Sequence, residues 1–213
     1  MLMAVLSLLA VGFAEVTTLW PEGKMPDCQP HQTSKPCLQW YEAPVSNRTG
    51  QCMILISGGG YVNLCDGVWV DRFADYLTAC GVQCVSLNYR TPRPKGLPIY
   101  QSAWEDGQRA VRLVRSAANR RGFDPEKIGV LGFSAGGHLS VLLATSSQTP
   151  AYARIDAQDD VPCHVNFAVP IFPAYVLSDG LEGPNAAKGV SPDVTLNPCF
   201  KFDAKTCPMC LIH

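Results

Sequence analysis

The stretch Gly132-Phe133-Ser134-Ala135-Gly136 constrains this chain more than any other. It follows an apolar run, Lys127 to Leu131, that reads as a buried strand, and it opens a helical pattern from His138 to Ala144. A strand that passes into a helix this abruptly brings the backbone close to itself. A side chain at either flanking position would collide with that backbone, and glycine removes the clash. Gly132 and Gly136 are therefore expected to support the turn. Ser134 stands at its tip, next to a helix N-terminus whose free N–H groups favour developing negative charge. G-x-S-x-G in this setting is a nucleophile elbow and points to acyl transfer on a serine.

The flanking elements set the architecture. Apolar strands are expected at Leu38 to Glu42, Gln51 to Ser57, Val82 to Tyr89, Val165 to Ile171 and, at the end of the chain, Cys207 to Ile212. Helical spacing runs from Val68 to Ala79, with Gly81 as a C-cap signal, and from Tyr100 to Arg121. In the longer helix Ala103, Ala110, Val111, Val114 and Ala118 fall on one face, and Gly122 follows its end. Strands alternating with helices give an α/β fold: a mostly parallel sheet with helices on both faces. The chain of 213 residues is long enough for one such domain, placed at residues 38–213 behind an extended lead-in at 15–37. Pro173 to Ala204 reads as loop, and irregular segments of that length are usually functional.

A net charge of −1 and 16% charged residues give no basic patch for nucleic acid. Met1 to Ala14 is apolar and ends in small residues, which is the pattern of a secretory signal peptide, with a buried first element as the alternative. Export to the medium or periplasm, with no membrane association of the mature form, is the expectation. Cys52, Cys84, Cys163, Cys207 and Cys210 lie in apolar runs and are expected to be buried thiols. Cys28 and Cys37 flank a polar loop and make the best disulfide candidates. Cys207-Pro-Met-Cys210 has redox or zinc spacing, but in a strand its Cα atoms lie about 10 Å apart, too far for a disulfide. No metal or cofactor is expected. Asn47-Arg48-Thr49 is a glycosylation sequon, meaningful only in a eukaryotic secretory pathway.

Acyl transfer also needs an oxyanion hole, a base and an orienting acid. The N–H of Ala135, next to the nucleophile, is one expected donor. Ser57-Gly58-Gly59-Gly60-Tyr61 lies at an earlier strand end, and Gly59 and Gly60 are its expected donors. A phosphate loop would require a following Lys-Ser or Lys-Thr, which is missing.

These segments resemble the α/β-hydrolase family of carboxylesterase and lipase type, near the bacterial group of acetyl xylan esterases and feruloyl esterase-like proteins. The resemblance runs from about Leu38 to His213. It rests on Ser57 to Tyr61, Asn88-Tyr89-Arg90, Leu97-Pro98 with Asp106, and Gly132 to Leu139. Ser57 stands where many relatives carry His, which changes how the loop is braced.

The resemblance implies that His138 supports the elbow and that another histidine is the base. His164, behind Asp156, Asp159 and Asp160, meets the order Ser, Asp, His but lies on the wrong side of the topology, and His31 precedes the sheet. The resemblance places the acid and base beyond His213, so the 213 residues are expected to stop short of them. Asp179, Asp193 and Asp203 read as lid or loop residues. It further implies a small-molecule or carbohydrate ester as substrate, such as an acetylated or feruloylated plant saccharide. A peptidase of the same fold and a non-catalytic binding protein are the alternatives.

Overall fold

The computed structural model describes residues 15–65, 67–177 and 195–213. The apolar leader at 1–14, Asp179 and Asp193 lie outside these residues. Among the described residues the strands and α-helices follow one another as β1 (Val16–Thr18), β2 (Cys37–Tyr41), β3 (Cys52–Ile56), α1 (Val68–Ala79), β4 (Gln83–Asn88), α2 (Gln101–Arg121), β5 (Ile128–Phe133), α3 (Ala135–Thr145) and β6 (Phe167–Ile171). The strands form one sheet in the order β1-β2-β4-β3-β5-β6. From β4 to β6 it is parallel, as expected from the alternation of strand and helix. β1 and β2 run antiparallel, which makes the sheet mixed.

Side-chain alternation along the strands builds two separate cores. Ile54, Ile56, Val85, Leu87, Ile128 and Val130 face α2 and α3 in the larger one. Met53, Leu55, Cys84 and Leu131 face Val70 and Ala74 of α1 in the smaller one. The five apolar positions expected on one face of α2 are all buried, and Gly122 ends that helix in the left-handed conformation.

Four expectations are corrected. The lead-in is more than extended chain: Val16–Thr18 pairs with β2, and Leu19 and Trp20 enter the main core. Residues 207–212 form no regular strand. Met209 and Ile212 instead make isolated parallel bridges to Ala168 and Ile171, because Pro170 of β6 lacks the N–H that would bond Cys210 O and join the two. Cys28 and Cys37 are both free, with Cys37 Sγ accepting a bond from Asn88 Nδ2 at 3.5 Å. Cys52, Cys84, Cys163 and Cys207 are buried as expected, whereas Cys210 is exposed on the outer edge.

Candidate active site

The parallel register sets Ile56 beside Gly132, so the exits of β3 and β5 lie side by side at the carboxyl edge of the sheet. This is where open α/β sheets bind ligands. Ser134 follows β5 directly, at φ +52° and ψ −114°. An L-residue in that region is strained by a few kcal/mol at most, and only surrounding contacts hold it there. Three backbone bonds do so: Ser134 N–H to Ile171 O at 3.1 Å, and its carbonyl accepting from His138 N–H at 2.9 Å and Ala174 N–H at 3.0 Å. A Cβ on Gly132 would lie 2.2 Å from Gly136 O, and one on Gly136 would lie 2.3 Å from Ile56 O. Both glycines are thus required by close backbone approach.

The glycine loop packs directly on the elbow. A Cβ on Gly58 would lie 3.2 Å from Ser134 Cβ. Gly59 and Gly60 take positive φ, at +121° and +61°. Among the described residues, the N–H groups of Gly59, Gly60 and Ala135 donate to no backbone carbonyl. For Ala135 the reason is its place as the first residue of α3. Tyr61, Phe172 and Tyr175 also take positive φ, at 61°, 33° and 55°. With Ser134 they gather local backbone strain around one site.

His138 is fully buried beneath the elbow. Its Nδ1 is hydrogen-bonded to Tyr61 Oη at 2.8 Å, and its Nε2 lies 3.7 Å from Cys199 Sγ. Burial pushes its pKa down to about 3, so the ring stays neutral. It ties α3 to the glycine loop, and among the described residues no hydrogen bond reaches the Ser134 hydroxyl. His164 lies 3.7 Å from Glu126, and His31 donates to Arg93 O at 2.9 Å. Asp203 caps the turn to Lys205 and Thr206.

Beside Ser134 opens a cavity of about 610 Å³, walled by Trp69, Phe73, Phe133, Phe172 and Ile212. Gly58 and Ser134 line it, whereas Gly59, Gly60 and Ala135 do not. Sequence reading missed this wall, because its aromatics come from α1, the elbow and the 172 loop, and only the fold brings them together. The loop is steadied from behind by Tyr89, whose hydroxyl donates to Ser57 O at 3.0 Å. Behind Tyr89, Arg90 forms a buried cluster with Glu105 at 2.6 Å and Asp106 at 3.0 Å.

The BD-FAE family profile matches residues 38–186, which takes in both the glycine loop and the elbow. The chain belongs to the BD-FAE family. Two curated relatives of this BD-FAE chain are 32% identical to it. The acetylxylan esterase of Xylanibacter ruminicola aligns over 102 residues, 47% of this chain and 20% of that protein. Endo-1,4-beta-xylanase B of Butyrivibrio fibrisolvens aligns over 114 residues, 51% of this chain and 18% of that protein. The chain thus spans only about a fifth of the length of these relatives.

Among solved structures, the acetyl ester-xyloside bifunctional hydrolase from Caldicellulosiruptor lactoaceticus superposes with a TM-score of 0.69 at 26% identity, over 93% of this chain and 73% of that one. Esterase 2 of Thermogutta terrifontis gives the same TM-score, 0.69, at 21% identity over 94% of this chain and 70% of that one, which speaks for the fold. The BD-FAE chain thus has an α/β-hydrolase fold, with its sheet mixed at the β1-β2 edge.

Proposed function

We propose that this chain carries the nucleophile of a carboxylic ester hydrolase, with Ser134 as that nucleophile. Ser134 Oγ attacks the ester carbonyl carbon and passes its proton to a base. The C–O bond to the alcohol breaks, and the acyl group stays on Ser134 until water releases it. Gly59, Gly60 and Ala135 supply N–H donors to the oxyanion. Gly132, Gly136 and His138 hold the turn that presents Ser134. The base is a group other than the buried, neutral His138.

One observation carries this reading. Ser134 is held at φ +52° by its neighbours, with its hydroxyl unengaged among the described residues, against a loop whose glycine N–H groups lack backbone acceptors. The names of the relatives favour an ester over a peptide substrate. An acetylated or feruloylated plant saccharide is the substrate class of this proposal, and export follows from the apolar leader. Among the described residues no helix is long and apolar enough to cross a membrane.

The test is covalent labelling of the full-length gene product by a fluorophosphonate probe. Labelling should map to Ser134, and Ser134→Ala should abolish both labelling and hydrolysis of p-nitrophenyl acetate. Undiminished labelling of Ser134→Ala would end the proposal.

A further inference from the structure

The glycine loop owes its shape to anchors on its carbonyl groups. In a trans peptide the C=O of one residue and the N–H of the next point in opposite directions. Fixing a carbonyl therefore aims the following N–H. Gly58 O accepts from Cys65 N–H at 3.0 Å, which aims the N–H of Gly59. Gly59 O accepts from Val62 N–H at 2.9 Å and Asn63 N–H at 3.2 Å, which aims the N–H of Gly60. These anchors are local and belong to the turn itself.

The third anchor is different. Gly60 O accepts from Arg93 Nε at 2.8 Å, a side chain 33 residues away on the loop after β4. The same guanidinium donates through Nη2 to Tyr175 Oη at 2.8 Å and lies 5.6 Å from the centre of the Tyr175 ring. Tyr175 stacks on Tyr61 at 6.1 Å, and Ala174, its neighbour, donates to the Ser134 carbonyl at 3.0 Å. The backbone of Arg93 is itself held, its carbonyl accepting from His31 Nε2 at 2.9 Å.

We propose that Arg93 is a positioning residue for the oxyanion loop, clamping Gly60 to the 172–177 loop that carries the Ser134 carbonyl anchor. The inference rests on the esterase reading of Ser134. Arg93 fixes the peptide on the C-terminal side of Gly60, and the turn fixes the peptide on its N-terminal side. Gly60, without a Cβ, does little to hold its own conformation, and both its peptide planes are pinned by hydrogen bonds to other residues. The planar guanidinium suits this task because its donors point along fixed directions and reach two acceptors at once.

The test compares Arg93→Met, Arg93→Lys and Tyr175→Phe with wild type in the full-length gene product, using p-nitrophenyl acetate. Arg93→Met should lower kcat about 10- to 100-fold, less than the 10²–10³ of losing a whole oxyanion donor. KM should stay within about twofold, because the interaction lost belongs to the transition state. Arg93→Lys, which can reach one acceptor at a time, should fall between Met and wild type. Tyr175→Phe keeps the bond to Gly60 and should lose the least. Amide hydrogen exchange at Tyr61, read by NMR, should accelerate in Arg93→Met at an unchanged global unfolding midpoint. Wild-type kcat in Arg93→Met, with turnover still dependent on Ser134, would overturn this inference alone. Absence of Ser134-dependent turnover in wild type would overturn the esterase reading, and unchanged Tyr61 exchange would then refute the clamp on its own.

Discussion

The two faces of the sheet both carry an apolar core but differ in what they add to it. Under α2 and α3 the chain buries charge: Arg90, Glu105, Asp106 and Arg109 are all nearly inaccessible. Each is met by partners of fixed direction, as when Asp106 accepts from Trp20 Nε1 at 2.7 Å, Arg90 N–H at 2.7 Å and Arg90 Nε at 3.0 Å. Beneath α1 the interior is aliphatic and aromatic, and it opens toward Ser134 through Trp69 and Phe172, 65% and 50% exposed. Hydrogen bonds between buried charges permit few arrangements, whereas apolar contacts tolerate many. The closed face can therefore hold the glycine loop and elbow in register, and the open face can receive a ligand.

The sharpest way to break this contrast is to remove the cation. Arg90→Leu leaves two carboxyl groups buried without it. Glu105 is already pushed up to about 7 by burial. Unfolding in urea should show a loss of about 3–5 kcal/mol. A loss near zero would mean that the closed face is held by its apolar core alone.

A second measurement uses pH. The folded state keeps His138 neutral down to about 3, while an unfolded histidine takes up a proton near 6.5. Below that pH the unfolded chain binds the extra proton, so stability falls as pH drops from about 6.5 toward 3. At about pH 4 this single group accounts for about 3 kcal/mol. His138→Gln should remove that part of the slope in urea titrations repeated across the window. An unaltered slope would show that His138 is not the titrating group.

The smallest effect belongs to the open face. Phe172→Ala should leave the urea midpoint almost unchanged, because half of the ring is already in water. It should raise KM for a p-nitrophenyl ester of a longer acyl chain about 10-fold relative to the acetate, the low end of what one methylene weighs in an apolar pocket. Equal changes for both esters would place the acyl group elsewhere.

Some of this was legible in the chain and some was not, for physical reasons. The range of α1, Val68–Ala79, follows from helical spacing, because its apolar stripe answers to one nearby core. The glycines at 132 and 136 announce themselves because only glycine tolerates the backbone contacts that the elbow makes. β1 is silent in the sequence: a strand of three residues with exposed ends needs no apolar alternation. The clamp by Arg93 is silent too. It joins residues 33 and 82 positions apart, and nothing local marks an arginine that bonds a distant carbonyl. Cys210 misled because an apolar neighbourhood in sequence became an outer edge in space.

Trp20 carries a further consequence, in the order of events on the ribosome. Its indole bonds Asp106, 86 residues later, and Arg109 reaches back to Leu19 O across 90 residues. At about 5–20 residues per second, Trp20 emerges roughly 4–17 s before the carboxylate that it will bind. Until then the segment that closes the charged face has nothing to close against. The charged face is thus sealed only once α2 has been made, and through those seconds the Trp20 indole is without the carboxylate that fixes it.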